Sequence, residues 1–439
     1  MSWDETLKVW DFFSGKELFT LVRHSNEVIT MAIFPDSSKV VSSFSNQIKI
    51  WDLYLGNELL TVNKNTESIK KLAIFPNNPN MILTSGDDTL KIWYLDRSPI
   101  SQHHFAHSNS VTVLRHTPDR SRIISSSGDG NLKIWDAKNG FEIHTLSGHS
   151  NWVDSLDITP NGLQAVSGQQ GEDSIFIVWD LICGVKLQTL KGHSNSVSTV
   201  KITPNGLWMV SASSDGDLKV WDFIKKTEKY SLQAHSDSIR EITFTSDSTF
   251  MVTSSSDQTL KVWNLLNGKL LHILEGHTKE VMLSRITPDN SYVISASTDN
   301  DIKIWELESG QEVYTFHVHS DWIEEIIITP DGSKLVTAFR DKTLKVLDLK
   351  QRIELGTLEG HSDYVTSVAI TPNLSKLISA SFDKTLKVWD FQTNSLLTTF
   401  YVETSLYTCI AVSDDIFVAG DSGGQVHFFC LEMSKENGQ

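Results

Sequence analysis

Residues 193–222 read HSNSVSTVKITPNGLWMVSASSDGDLKVWD, and most of the chain repeats this pattern. Three short apolar–polar alternations are separated by the stretches TPNG and SSDGD, and a looser segment, KKTEKYSL, follows at 225–232. Short alternating runs predict β-strands, and Gly, Asn, Asp and Pro between them predict tight turns. The stretch therefore predicts a unit of four antiparallel strands.

The motif LKVWD that ends this stretch recurs along the whole chain. Its Trp, or the residue that replaces it, stands at Trp10, Trp51, Trp93, Trp135, Trp179, Trp221, Trp263, Trp305, Leu347 and Trp389. The successive steps are 41, 42, 42 and 44 residues, followed by five steps of 42. A four-stranded unit of this size cannot bury both faces of its sheet alone, so it must stack on its neighbours. The repeat predicts an all-β fold, a β-propeller of about ten units.

A second marker, GHS or a variant of it, precedes most copies. Its histidines are His24, His107, His149, His193, His235, His277, His319 and His361. From His107 onward the distance to the Trp or Leu is 28 residues, except for 30 residues between His149 and Trp179, where SGQQGEDS contains two extra residues. A last, degenerate copy, GQVHFF, has His427 in the position of the tryptophan.

The GH and WD markers at this spacing resemble the WD40 repeat family over the whole chain. The resemblance implies that each blade contains a buried hydrogen-bonded set, in which the GH histidine bridges a Ser or Thr, a turn Asp and the Trp. The implied sets are His107, Asp129 and Trp135; His149, Asp173 and Trp179; His193, Asp215 and Trp221; His235, Asp257 and Trp263; His277, Asp299 and Trp305; and His361, Asp383 and Trp389. Blades 24–51 and 66–93 and the last copy depart from this pattern, and we expect them to be less rigid.

The consensus GHS-x-x-V…ITPNG…SAS-x-D…LKVWD more narrowly resembles the WD40 arrays of bacterial-type NACHT and NB-ARC signalling NTPases. In those proteins the propellers are sensor or autoinhibitory modules. This sequence contains no G-x-x-x-x-G-K-[ST] loop, which such an NTPase needs to hold nucleotide phosphates. Any NTPase that the resemblance implies must therefore act in trans, or the link to it has been lost.

Ring closure requires a fourth strand for the last copy, whose own strands are expected near 407–412, 416–420 and 425–430. A donor at 141–147 predicts a seven-blade ring over 141–439 and a partial propeller of three repeats and an unpaired strand over 1–140. A donor at 17–22 instead predicts one ring of ten blades. We expect the first arrangement, because WD40 rings favour seven or eight blades.

The resemblance also implies which side chains reach the top face of the propeller. These are the residues three and five positions after the GH histidine and the residue before the turn Asp, which are mostly small serines here. The exceptions are Trp152, Arg240, Trp322, Glu324, Arg340, Tyr364 and Phe382. Aromatic residues and arginine dominate interface hot spots, so we predict a partner-binding surface. The alternative for Trp152 and Trp322 is that they pack over their own blade.

Composition limits the classes of partner. The 38 basic and 54 acidic residues give a formal charge of −16, which disfavours nucleic acid and anionic membranes. No apolar run is long enough for a membrane span, and the three cysteines are consistent with a cytoplasmic protein. No catalytic motif is present, HHFAH at 103–107 lacks a third metal ligand, and no cofactor or metal is implied.

These observations predict a non-catalytic scaffold or sensor that binds a protein or peptide on the top face and regulates a signalling NTPase. One alternative is an assembly subunit that forms a homodimer through its open N-terminal repeats. A minor alternative is a hydrolase or lyase, which would require ionisable residues that converge near the central channel.

Overall fold

The computed structural model describes residues 107–430, apart from 139, 172–174 and 319–321. Before residue 107 it describes 7–10, 16–21, 30–33, 39–44, 47–53, 58–63, 71–75, 78–85, 90–94 and 104–105. The chain divides into two compact units, Met1–Gln102 and His103–Gln439. All described secondary structure is β, which confirms the predicted fold class.

The first unit contains three antiparallel sheets. One pairs β1 (Leu7–Trp10) with β2 (Glu17–Leu21). The second consists of β3 (Thr30–Ile33), β4 (Lys39–Phe44), β5 (Gln47–Asp52) and β6 (Glu58–Asn63). The third consists of β7 (Lys71–Phe75), β8 (Asn78–Ser85) and β9 (Leu90–Tyr94). In the second sheet, Trp51 Nε1 donates to Ser42 Oγ over 2.9 Å, so this repeat keeps part of the buried set.

The second unit contains eight four-stranded sheets, which we call blades. The four strands of each blade are called a, b, c and d in the order in which they pair, with strand a innermost and strand d outermost. Blade 1 is β11 (Val111–His116), β12 (Arg122–Ser127), β13 (Asn131–Asp136) and β14 (Glu142–Ser147). Blade 2 is β15 (Val153–Ile158), β16 (Gln164–Gln169), β17 (Ile175–Asp180) and β18 (Val185–Lys191). Blade 3 is β19 (Val197–Ile202), β20 (Trp208–Ser213), β21 (Asp217–Asp222) and β22 (Thr227–Gln233).

The next blades continue this order. Blade 4 is β23 (Ile239–Phe244), β24 (Phe250–Ser255), β25 (Leu260–Asn264) and β26 (Lys269–Leu274). Blade 5 is β27 (Val281–Ile286), β28 (Tyr292–Ser297), β29 (Asp301–Glu306) and β30 (Glu312–His317). Blade 6 is β31 (Ile323–Ile328), β32 (Lys334–Phe339), β33 (Leu344–Asp348) and β34 (Ile353–Leu358). Blade 7 is β35 (Val365–Ile370), β36 (Lys376–Ser381), β37 (Thr385–Asp390) and β38 (Leu396–Tyr401).

The closing blade joins the two ends of this unit. It consists of β39 (Leu406–Ala411), β40 (Ile416–Asp421) and β41 (Gln425–Cys430), with β10 (His104–Phe105) as its outer strand. In register, His104 is opposite Val426 and Phe105 is opposite Gln425. The inner strands contact one another in sequence around the ring, and β39 contacts β11 of blade 1. The second unit is therefore a closed propeller of eight blades.

Both predicted closing strands are wrong. The segment expected at 141–147 is β14, which pairs with β13 of its own blade, and the segment at 17–22 contains β2, which pairs with β1. A short c–d hairpin keeps β14 with β13, because a local connection loses less chain entropy than a distant pairing. The donor β10 comes before blade 1 in the chain. Blade 1 is therefore part of the ring, although the sequence analysis had assigned its repeat to the N-terminal partial propeller.

The hydrophobic core lies between blades rather than within them. Ile124 and Ile134 of blade 1 pack with Leu156, Ile177 and Trp179 of blade 2. Val111 and Trp135 of blade 1 pack in the same way with Val418 and Val426 of the closing blade. Each sheet therefore buries its faces only through its neighbours, as expected for a ring of stacked repeats.

No described segment forms a helix with the length and hydrophobicity that crossing a membrane requires.

Candidate functional site

A buried hydrogen-bonded set connects strands b and c in most blades. In blade 4, His235 Nδ1 lies 2.8 Å from Asp257 Oδ2, and His235 Nε2 lies 2.7 Å from Thr253 Oγ1. Trp263 Nε1 donates to the same Thr253 Oγ1 over 3.0 Å. The same arrangement occurs with these members in other blades: His107, Asp129, Ser125 and Trp135; His277, Asp299, Ser295 and Trp305; His361, Asp383, Ser379 and Trp389.

The chemistry of these groups determines which atom donates and which accepts in each hydrogen bond of the set. Burial opposes ionisation of Asp257, but hydrogen bonds from His235 and Thr259 hold its pKa well below its usual range. An ionised carboxylate can only accept, so the histidine Nδ1 carries the proton and Nε2 accepts from the Thr253 hydroxyl. Thr253 in turn accepts from the indole of Trp263. Every buried polar atom along this path has a partner, which is the condition for a stabilising network.

Blade 2 achieves the same arrangement with a neutral partner. His149 Nδ1 lies 3.1 Å from Gln169 Oε1, which also accepts from the backbone N–H of Ser150 over 3.1 Å. Burial lowers the pKa of His149 to about 4. The expected partner, Asp173, lies outside the described residues. Gln169 occupies the position of Ser127 in blade 1, since Val153 faces Gln169 as Val111 faces Ser127.

Blade 3 has the sequence of a complete set but lacks its first hydrogen bond. His193 Nε2 lies 2.8 Å from Ser211 Oγ, and Trp221 Nε1 donates to Ser211 Oγ over 3.0 Å. The Nδ1 atom of His193 is buried and has no hydrogen-bond partner within the described part of the chain. Asp215 instead accepts from Ser194 Oγ and from the backbone N–H of Asp217, each over 3.1 Å.

The closing blade contains a polar pair that the sequence analysis missed. His427 Nε2 lies 2.8 Å from Asp421 Oδ2, and both side chains are buried. Burial opposes ionisation of Asp421, but hydrogen bonds with His427 and Thr404 keep its pKa below its usual range. Asp421 lies six residues before His427, the same spacing as Asp and Trp in the other blades, and that spacing was the available signal.

Blade 6 replaces the tryptophan by Leu347. This side chain is buried in a hydrophobic cluster that also contains Phe316 and Phe339. Thr337, at the strand-b position of the set, donates to the backbone oxygen of Lys345 over 3.4 Å instead of accepting from an indole. The histidine of this blade, His319, lies outside the described residues.

The top face carries a row of aromatic side chains around Arg340 of blade 6. We define the top face as the end formed by the d–a loops and b–c turns, where Arg340 N donates to Trp322 O and Phe382 N donates to Tyr364 O. The Arg340 guanidinium lies 4.4 Å from the centroid of the Trp322 ring and 5.7 Å from that of Tyr364. Its Nε donates to Glu324.

The row continues across blade 7 to the closing blade. The Tyr364 and Phe382 ring centroids are 6.1 Å apart, and those of Phe382 and Tyr407 are 5.1 Å apart at 89° between planes. We call Trp322, Arg340, Tyr364, Phe382 and Tyr407 the aromatic row. Trp322, Tyr364 and Tyr407 remain 44%, 39% and 41% exposed. Tyr407 was not predicted, although it directly follows the first residue of an inner strand, as Glu324 does.

Two predicted site residues lie apart from the row. Arg240 Nε donates to Ser256 Oγ over 2.7 Å, and its Nη2 donates to Glu280 Oε2 over 2.9 Å, so it links blades 4 and 5. Trp152 of blade 2 leans over blade 1, because a Cβ added at Gly128 would lie 3.0 Å from Trp152 Cε2. Blade 1 stands between Trp152 and the closing blade, so the eight-blade ring separates it from the row.

Charged residues also converge on the inner strands, and the sequence analysis missed them. Glu241 of blade 4 is paired with Lys201 of blade 3 (3.2 Å) and Arg285 of blade 5 (3.3 Å). Burial raises the pKa of Glu325, whose Oε2 accepts from Val368 N over 2.8 Å. Glu241 and Glu325 lie six positions after the repeat histidine, where the other repeats from His107 onward have small or apolar residues. Lys201 and Arg285 lie eight positions after it. Because Glu241 is paired with Lys201 and Arg285, these three charges form a structural ion network, whereas Glu325 is held by a backbone amide.

Comparisons with known proteins agree with this architecture. The WD domain, G-beta repeat family (WD40) matches residues 15–52, 56–94, 99–136, 140–180 and 184–222, and the NWD2 C-terminal beta-propeller family matches 229–405. Among solved structures, the chain is similar to the crystal structure of the computationally designed Ika8 protein. The identity is 26% and the TM-score 0.67, over 74% of this chain and 98% of the designed one. The comparison with curated proteins finds no match.

Proposed function

We propose that this WD40 β-propeller is a non-catalytic interaction scaffold that binds a protein or peptide on its top face through the aromatic row. WD40 propeller domains generally mediate protein–protein interaction and are usually non-catalytic. The observation that carries the proposal is the stacking of Arg340 between Trp322 and Tyr364 on an exposed surface.

The contacts within the row support binding rather than packing. Arg340 donates to Glu324 and lies close to both rings, so it has less side-chain entropy to lose when a partner arrives. Arg, Trp and Tyr are the residue types that most often contribute interface hot spots. The row spans blades 6 and 7 and the closing blade, which is long enough to contact an extended segment at several points.

The test compares two double variants of the full chain in capture of partners from the source cell, followed by affinity measurement with the purified partner. We expect Trp322→Ala with Arg340→Ala to weaken binding by at least about 30-fold, since loss of a hot-spot residue costs about 2 kcal/mol or more. The matched control is Ile224→Ala with Leu266→Ala, which removes two exposed apolar side chains from c–d turns.

The control must keep full affinity, and both variants must keep the wild-type circular dichroism spectrum. Equal loss in both would show general destabilisation, and equal retention would place the partner surface elsewhere. If Trp152→Ala or Arg240→Ala alone removes binding, the predicted surface extends to other blades and the aromatic row is not its centre.

The partner that we propose is a signalling NTPase acting in trans, on the resemblance of the repeats to arrays of NACHT and NB-ARC proteins. The captured partner is then assayed for nucleotide hydrolysis with and without the propeller. The regulation is supported if the wild-type propeller changes the rate of nucleotide hydrolysis and the Trp322→Ala, Arg340→Ala variant does not. A partner without nucleotide hydrolysis contradicts it and leaves the scaffold proposal intact.

An alternative function is assembly into a homodimer through the N-terminal unit. Its support is that the sheet β7–β9 has three strands among the described residues, and an unpaired sheet edge can add a strand from another chain. Light scattering of the full chain and of residues 103–439 tests this. A dimer that becomes a monomer on truncation favours assembly, whereas a monomeric full chain excludes it.

We also propose a cytoplasmic location. Cys183 is exposed, Cys409 is buried, and both are free thiols. Fractionation of the source cell tests the location, and recovery of the protein outside the cytoplasm would contradict it.

A further inference from the structure

We propose that blade 3 binds a divalent transition-metal ion, Zn²⁺ first among them, through His193 Nδ1 and the carboxylates of Asp215 and Asp217. One ligand atom from each of these three residues lies within 4.8 Å of the others. Zn²⁺ binds imidazole nitrogen and carboxylate oxygen at about 2.0–2.2 Å in tetrahedral geometry, so neighbouring ligand atoms would be about 3.5 Å apart. Small side-chain rotations therefore bring the three atoms into coordination distance.

The free Nδ1 of His193 is the observation that separates this blade from the others. His193 is 9% exposed, and its Nδ1 lacks a hydrogen-bond partner in the described part of the chain. In blades 1, 4, 5 and 7 the same atom is hydrogen-bonded to the turn Asp. A buried polar atom without a partner costs folding free energy, and a metal ion would remove that cost.

The rest of the histidine environment suits a metal ligand. A ligating imidazole usually donates its other N–H to a neighbouring acceptor, which fixes the ring orientation. Ser211 Oγ, 2.8 Å from His193 Nε2, is positioned to accept that proton.

Two carboxylates meet here because of the turn between them. The sequence is Asp215-Gly216-Asp217, and Gly216 has φ 84°, a conformation that favours glycine. A Cβ at this position would lie 2.2 Å from His235 O. The turn is also held from outside, since Gly216 O accepts from His235 N and Gln233 Nε2 donates to Asp215 O. The backbone that carries the two carboxylates is therefore held in place before any ion arrives, and only the side chains must rotate.

The two carboxylates carry like charges within one turn, and a bound cation would offset their repulsion. Lys219, two residues after Asp217, is paired with Glu228 Oε2 at 2.8 Å, which reduces its competition for the site. In blade 5 the equivalent Asp301 is paired with His317 Nδ1 at 2.8 Å, and His277 is bonded to Asp299, so that Asp-x-Asp turn offers no free imidazole.

The experiment titrates the chelator-treated full chain with Zn²⁺ against a chromophoric competitor, and repeats the titration with Co²⁺ while visible absorption is recorded. We expect one tight site in the wild type and at least about tenfold weaker binding in Asp217→Asn. Asparagine is compatible with this turn, since Asn131 occupies the same position in blade 1. The matched control, Asp301→Asn in blade 5, must bind as the wild type does.

A second variant, His193→Gln, should also lose the site and the Co²⁺ absorption band, while the circular dichroism spectrum stays unchanged. Equal binding by the wild type and Asp217→Asn would overturn the proposal, as would the absence of a tight site in the wild type. Binding that disappears in His104→Ala and persists in Asp217→Asn would also overturn it, because the ion would then lie at the HHFAH segment.

Discussion

Blades 3 and 4 are neighbours with the same spacing of His, Asp and Trp, yet only blade 4 completes its buried set. In both, the indole and the imidazole meet on one hydroxyl, Ser211 or Thr253. The difference is the bond between Nδ1 and the turn Asp, which is 2.8 Å long in blade 4 and missing in blade 3. The Trp–hydroxyl–His part is therefore shared by both blades, whereas the His–Asp part differs between them.

The largest expected effect comes from the shared part of the set. Ser211→Ala in blade 3 and Thr253→Val in blade 4 each leave an indole N–H and an imidazole nitrogen buried without a partner. We expect each to lower the free energy of unfolding by about 3 kcal/mol. Equilibrium urea unfolding of the full chain, followed by tryptophan fluorescence, measures this. A much smaller loss in blade 3 would show that its indole and imidazole are held by something other than Ser211.

Removing the turn carboxylate should lower the free energy of unfolding more in blade 4 than in blade 3. Asp257→Ala removes the partner of His235 Nδ1 and several other hydrogen bonds, and we expect a loss of about 2–3 kcal/mol. Asp215→Ala removes no bond to its histidine, and we expect about 1 kcal/mol. The same unfolding assay, with a chelator present, gives both values. Equal losses would contradict the difference seen between the blades.

The sequence predicted the shared features because they follow the repeat. The strand pattern, the unit length and the positions of His, Asp and Trp all follow from the requirement that each blade bury the same groups against its neighbours. His235, Asp257 and Trp263 lie where the WD40 resemblance implied. Trp322, Arg340, Tyr364 and Phe382 stood out because they interrupt a run of small polar residues, and the structure brings these four together.

The sequence could not predict features that depend on which blades are neighbours. Similar blades stack on one another interchangeably, so the number per ring depends on one closing pair. That pair uses β10, two residues without any strand pattern. The free Nδ1 of His193 was also hidden, because blade 3 has the same His, Asp and Trp spacing as blade 4. Tyr407 and the ion pairs of Glu241 become visible only when inner strands of different blades are placed side by side.

Acid should destabilise blade 3 through His193. Its folded pKa of about 4 lies below the ordinary 6.5, so between these values the unfolded chain binds a proton that the folded chain does not. Stability is therefore full above pH 6.5 and falls as the pH decreases, by about 2 kcal/mol at pH 5 for this group. Urea unfolding at pH 7 and pH 5, with a chelator, should show a smaller fall for His193→Gln than for the wild type. An identical fall would mean that His193 does not stay neutral in the folded chain.

The smallest expected effect tests whether the partner of the histidine must be charged. Gln169→Ala in blade 2 removes the bonds to His149 Nδ1 and Ser150 N, both made by a neutral oxygen. Neutral hydrogen bonds contribute about 1 kcal/mol, whereas bonds to a charged group contribute about twice as much. We therefore expect a loss of about 1 kcal/mol in urea unfolding, less than for Asp257→Ala. If the two losses are equal, the carboxylate charge adds nothing, and the blades differ only in whether the imidazole has a partner.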